Sequence, residues 1–391
     1  MVANAQLPFE QAHPLQFAPV LRELLSHGAV HRVRTPVGDP AWLVTRYSVI
    51  VRLLADDRLG GSHPEPVAAA RMGESVLYGG PTDNADTEEA DHARWRALLQ
   101  PQFSPKRLRA LRPKVESLTA GLLDELAVSG PPGDLHAAVA LPLPLLVICE
   151  VLGVPHRDRE RFRAWTTEAA AIRDHGRSER GMNQLCAYAR ELIGAKRRHP
   201  GDDVISRWCA TEGLSDGEIA DLVVALLWAG HHTAVVQIGH SVLVLLANPE
   251  QWRALADHPA LASNAVEETL RASHTCDSVI VRYARTEMEI EGAVVEAGDL
   301  VLLSHAAAQH DPSAFDDPDR VDITRPAPKH LAFGHGTRHC IGAPLARIEL
   351  NAVIYQLAKR FPTMRLAVDL EELRMNTDLL FGGLAELPVR W

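Results

Sequence analysis

The chain reads as a mainly α protein with small β-sheets, and three observations lead there. Ser215 followed by Glu218 is a capping box opening a segment that runs to about Ala247, just ahead of Asn248-Pro249. Leu222–Trp228 within it is apolar on every face, which predicts a helix buried in a core. Helical patterns dominate from about Ala90 through the centre, broken at Pro131-Pro132-Gly133-Asp134 and His199-Pro200-Gly201-Asp202-Asp203. Strand-like alternation is confined to short stretches.

In chain order, residues 16–58 mix short helix with alternation. Ala41–Thr45 reads as a strand after the Gly38-Asp39-Pro40 turn. Residues 60–90 are rich in Gly, Pro, Asp and Glu and predict a long loop, a length that is commonly functional. Strands return at Ser278–Val281 and Met288–Gly292. An Asp- and Pro-rich meander follows over 311–330, and short strands from about 362 turn at Gly382-Gly383.

The chain has 391 residues, 46% of them hydrophobic, enough for a large core, and it shows no linker or repeat. One domain over 1–391 is expected. A formal charge of −10 argues against generic nucleic-acid binding. Five scattered cysteines, an odd number without a CxxC, fit a reducing cytoplasm. The first residues lack a basic and an apolar region of a signal peptide. No stretch reads as long enough to span a membrane without polar interruption. A cytoplasmic protein with no membrane and no nucleic-acid partner is expected.

The most specific stretch is Phe333-Gly334-His335-Gly336-Thr337-Arg338-His339-Cys340-Ile341-Gly342, leading into a helix at Leu345–Leu350. Backbone N–H groups at a helix start and the positive end of its dipole stabilise a thiolate. Glycines let the backbone wrap close to the sulfur and past a large flat ligand. The stretch resembles the haem-binding loop of the cytochrome P-450 superfamily, Phe-Gly-x-Gly-x-x-x-Cys-x-Gly, with every fixed position present. The resemblance implies a single domain with a long central helix over haem b (iron protoporphyrin IX), Cys340 as the axial iron ligand, and Phe333, Gly334 and Gly342 shaping its loop. It implies the soluble bacterial type, which uses O2.

The middle of the central helix, Ala229-Gly230-His231-His232-Thr233, is unusual for a core. Glycine weakens a helix interior, and buried imidazoles and hydroxyls need partners. In the resembled family this position carries Ala/Gly-Gly-x-acid-Thr, with Ala229 beside the haem and Gly230 opening a groove for O2. Thr233 matches the alcohol; His232 replaces the acid and can serve as the proton donor, since imidazole titrates near neutral pH.

Glu268-Thr269-Leu270-Arg271 matches the family's Glu-x-x-Arg, a buried structural pair joined from the meander by Arg325, with Arg320 as the second choice. The resemblance assigns His92, Arg96, Arg282 and Arg338 to the haem propionates, whose burial requires cations. By analogy the substrate pocket takes residues 63–85, 165–185, Val224 and Trp228, Asp277, Ser278 and Val279, and the Gly382-Gly383 turn. A 3.6-residue period leaves open whether Leu227 or Trp228 faces the haem.

Lys106, Arg107, Arg109, Arg112 and Lys114 form a basic run suited to an acidic ferredoxin. No flavin or nicotinamide motif is visible, so the resemblance implies electrons from NAD(P)H through a separate ferredoxin reductase and ferredoxin. The expected function is monooxygenation of a small organic substrate, a secondary metabolite by family habit. His232 motivates an alternative, oxidative C–C or C–N coupling of aromatic or cyclic-dipeptide substrates without oxygen insertion. A non-catalytic haem-based sensor is the third reading.

Overall fold

The computed structural model describes residues 5–76, 79–81, 84–273, 279–326, 328–379 and 382–391. Its centre is the helix Asp216–Leu246. The Ser215 hydroxyl accepts from the Glu218 N–H, and the Glu218 carboxylate accepts from the Ser215 N–H, so both halves of the predicted capping box form. The helix packs on Pro142–Leu152, His175–Arg198, Ala262–Ala272 and Ala343–Arg360. Contrary to the sequence expectation, it is long and apolar enough to cross a membrane, with a mean hydropathy of 1.6 over an 18-residue window. Here its apolar residues are met by other helices, in a core that includes Leu222, Val223, Leu227, Ile238 and Leu245.

The principal sheet has five strands in the order Val30–Arg34, Pro40–Val44, Leu300–Ser304, Val279–Ala284, Leu59–Gly60. Pro40–Val44 and Leu300–Ser304 run parallel, and the other neighbours are antiparallel. Alternation sorts its side chains. Ala41, Leu43, Leu300, Leu302 and Tyr283 enter one cluster with the N-terminal helix Pro19–His27. Trp42, Val44, Val301, Leu303 and Ala284 enter another with the helix Tyr47–Leu53. The short strands expected near the C-terminus are Arg365–Leu366 and Pro388–Arg390, in a three-stranded sheet with Gly133–Asp134. Between Gly61 and Thr87 the described residues carry neither helix nor strand, as the composition predicts.

Candidate haem-thiolate site

The cysteine loop is held by its own backbone. The Gly334 N–H donates to Leu331 O at 2.8 Å, and the Cys340 N–H to Phe333 O at 2.9 Å. Gly334 and Gly336 have φ of 71° and 72°, a conformation that disfavours side chains. A Cβ on Gly342 would lie 3.8 Å from Cys340 Sγ, in ordinary van der Waals contact, so this glycine sits directly against the sulfur. Cys340 is accessible, ahead of the helix Ala343–Arg360. Surrounding protein pushes its thiol above the ordinary value, while the Gly342 and Ala343 N–H groups, then Arg96 and Arg347, pull the other way. Those amide donors favour the anion.

A salt-bridge cluster braces the loop from behind. Arg347 donates to Glu267 through Nε at 2.7 Å and Nη2 at 2.9 Å, and its guanidinium lies 4.6 Å from the Phe333 ring centroid. His330 Nδ1 accepts from the Ala332 N–H, so its Nε2–H donates to Glu267 at 3.1 Å. Burial raises the Glu267 pKa, but His330 and Arg347 outweigh it and hold it at about 2.

Glu268 and Arg271 meet as a fully buried fork, Nε–Oε2 at 2.9 Å and Nη2–Oε1 at 2.8 Å. Arg271 also donates to the carbonyls of Gln309, Pro318 and Arg320. Arg325 reaches Glu268 Oε2 at 3.2 Å and donates to Asp316 and Asp317 carbonyls. Arg320 contributes a carbonyl here rather than a cation.

Beyond its first turns the central helix exposes only Ala229 and Thr233, with Ala225 and Trp228 half-buried beside them. Residues four apart share a face, so these mark a stripe open to a ligand. Val224 sits one position off it, in the core, and Leu227 is fully buried. Thr233 Oγ1 donates to Ala229 O at 2.6 Å. Helical structure continues through Gly230, whose Cβ, if present, would lie 2.9 Å from Ile148 Cδ1. The glycine permits close packing of the helix Pro142–Leu152. His231 is buried beside Thr166, and burial, then His232, lowers its pKa to about 3, so it is neutral. His232 is buried next to it.

Of the expected carboxylate holders, His92, Arg96, Arg282 and Arg338 are all partly accessible. Arg96 donates to His339 O at 2.7 Å, tying the helix Glu88–Leu99 to the residue before the cysteine. Arg282 donates to Val281 O at 2.8 Å. Arg338 Nη2 donates to Glu88 at 2.7 Å and to Glu89 at 3.1 Å.

Two of the segments expected around a pocket, 63–85 and 165–185, are hydrogen-bonded to each other, and the second also to the chain near the C-terminus. The Glu74 N–H donates to Ile172 O at 2.8 Å, the Val76 N–H to Ser178 Oγ at 3.1 Å, and the Ile172 N–H to Asp378 O at 3.1 Å. Val279 is half-buried on its strand. Asp277 and Ser278 lie outside the described residues.

Sequence reasoning missed Glu88, Glu267, His330, Arg347 and Glu349. Only the last left a usable signal, since it lies on the apolar stripe of Leu345, Ala352 and Val353. Glu349 is buried, its Oε2 has no hydrogen-bond partner among the described residues, and burial raises its pKa to about 8. The neutral acid is therefore the folded form near neutrality. Between the unfolded value of 4.5 and about 8, the native state holds one proton more than the unfolded chain. Stability then falls as pH rises through that window, by about 1.4 kcal/mol per unit at most, and levels off above it. Glu349→Gln is expected to match the wild type near pH 4.5 and exceed it progressively up to pH 8, read from urea midpoints. Parallel pH profiles would mean Glu349 is ionised in the fold.

The residues present fit a haem. The donor set is one accessible thiol backed by amides, near cationic side chains for carboxylates, with an exposed small-residue stripe on the central helix. Fold and site together define a haem-thiolate oxygenase.

The comparisons agree. The Cytochrome P450 family model matches residues 251–379. Pentalenolactone synthase of Streptomyces exfoliatus is 43% identical, over 98% of each chain. The substrate-free structure of PimD, a polyene macrolide antibiotic pimaricin epoxidase, superposes with a TM-score of 0.89 at 38% identity, over 99% of each chain. That of cytochrome P450mel 107F1, described as having biaryl coupling reactivity, gives 0.86 at 34%, over 100% of each. The chain belongs to the cytochrome P450 family, and it is an oxidoreductase of the monooxygenase type that uses haem and O2.

Proposed function

We propose that this chain is a cytoplasmic single-domain monooxygenase of natural-product biosynthesis, supplied with electrons from NAD(P)H by a ferredoxin reductase and a ferredoxin. The observation that carries it is the Cys340 thiol, lined by the Gly342 and Ala343 amides and tied through His339 to Arg96. Bound haem b supplies the dioxygen-activating chemistry, which a thiolate ligand pushes toward O–O cleavage. Arg96, Arg282, Arg338 and His92 hold its carboxylates. The natural-product reading is supported by the relatives' names, an antibiotic epoxidase among them.

The chain's own contribution to turnover is to place protons and exclude water. Thr233 donates its hydroxyl hydrogen bond to Ala229 O and can turn it toward a ligand on the open stripe. His232, in place of an acid, holds or passes a proton at a ring nitrogen. Trp228, Asp277, Ser278 and Val279 contact substrate, the two polar residues favouring one with hydrogen-bonding groups. An electron donor docks along Lys106, Arg107, Arg109, Arg112 and Lys114 on the helix Pro105–Ser129, beside a groove that also includes Arg347. Such docking is salt-sensitive.

The test is turnover of purified protein with ferredoxin, its reductase and NADPH against macrolides, terpenoids, phenols and cyclic dipeptides. Candidates are first sorted by a blue shift of the Soret band. A product heavier by one oxygen atom supports monooxygenation. A product that has lost hydrogens without gaining oxygen supports a second reading, oxidative coupling, which the histidine at 232 favours. NADPH oxidation without any product from a shifting ligand would sink both.

A further inference from the structure

Four segments meet on one buried carboxylate. Glu88 begins the helix Glu88–Leu99, and its side chain is 1% exposed. Its Oε1 accepts from the Gly61 N–H at 2.8 Å and from Arg338 Nη2 at 2.7 Å. Its Oε2 accepts from the Ser62 N–H and hydroxyl and from Arg285 Nη2 at 2.8 Å. Burial alone would raise the Glu88 pKa, but these donors bring it to about 2, so the group is an anion at any working pH. The packing leaves no slack: a Cβ on Gly60 would fall 2.5 Å from Glu88 Oε2 and 2.6 Å from Arg285 Nε.

The two arginines are not equivalent. Arg285 spends Nη1 on Asp57 O and Nη2 on Glu88 and Glu89. Arg338 spends only Nη2, on the same two carboxylates; its Nε and Nη1 make no hydrogen bond among the described residues. One edge of its guanidinium is anchored and another remains to be used, two residues before Cys340.

We propose that Glu88 is a positioning residue for the haem: it anchors one edge of Arg338 so that the remaining donors are aimed at a haem carboxylate. The inference rests on the haem-thiolate reading above. The sign of its effect follows from charge. Glu88 is the buried anion shared by two guanidinium groups. Once it is neutral, only the exposed, solvent-screened Glu89 still bridges Arg285 and Arg338, and Arg338, the less tethered, moves away. A fork that must be re-aimed on binding holds a carboxylate less well than one already in place.

The test is a double-mutant cycle on the holoprotein, reading haem loss to excess apomyoglobin, with urea unfolding of each apoprotein alongside. Glu88→Gln and Arg338→Gln are each expected to speed haem loss about tenfold. The double variant is expected to be no faster than either single one, because Glu88 acts through Arg338. Glu88→Asp is expected to recover part of the loss. Multiplying effects in the double variant, or wild-type haem loss in Glu88→Gln, overturns the proposal. If Glu88→Gln does not fold, the cycle runs with Glu88→Asp: its smaller acceleration of haem loss must likewise vanish in the Arg338→Gln background, and wild-type haem loss in Glu88→Asp overturns the proposal. A wild-type protein that takes up no haem with a thiolate spectrum defeats the haem reading instead.

Discussion

Cys340→Ser is expected to abolish the long-wavelength Soret band that thiolate ligation gives the reduced carbon monoxide complex, and to lower monooxygenase turnover by at least about 100-fold. The protein itself should persist, because Cys340 is accessible and its backbone N–H bond to Phe333 O does not involve the side chain. The cause is electronic. The sulfur is pushed toward the neutral thiol by its surroundings and pulled toward the anion by the Gly342 and Ala343 amides, a balance that a bound metal ion tips to thiolate outright. A serine hydroxyl is a far weaker acid and a harder donor, and the same amides cannot make up the difference. A thiolate band retained by Cys340→Ser would remove this cysteine from the site, and another of the five cysteines would have to supply it.

The second large effect concerns stability. Arg271→Met is expected to cost about 3–5 kcal/mol, seen as a lower urea midpoint with unchanged slope. Its methylene stem is replaced, so the loss is not one of packing. Glu268 stays buried with Arg325 as its remaining side-chain cation, and the Gln309, Pro318 and Arg320 carbonyls lose the donor that Arg271 supplied. Arg271→Lys should recover little, since an ammonium cannot reproduce a two-pronged contact with Glu268 while also reaching carbonyls of the meander. A cost under about 1 kcal/mol would mean that Arg325 carries the network alone.

Much of the site was legible because its chemistry is local. The cysteine loop spans ten residues, its glycines answer backbone needs within it, and Glu268 and Arg271 lie one helical turn apart. Arg325 was legible through the resemblance, and the capping box through a four-residue pattern. Phase was harder. The central helix is apolar nearly all round, so its periodicity does not reveal the face on which Ala229 and Thr233 lie, nor that Val224 is buried in the core beside it. Gly230 shows the same limit, since its reason lies on another helix, at Ile148.

By itself the amino-acid sequence determined the fold class, the cysteine loop and the helix that carries Thr233, because each depends on hydrogen bonding or apolar spacing over a few turns of chain. Only the tertiary structure decided which charges neutralise which. Arg338 and Glu88 are separated by 250 positions, and Arg347 and Glu267 by 80. A charged side chain carries no record of its partner in the residues beside it. The pairing follows from where the sheet, the cysteine loop and the helix ends are brought together, and burial then makes an unpaired charge too costly to leave.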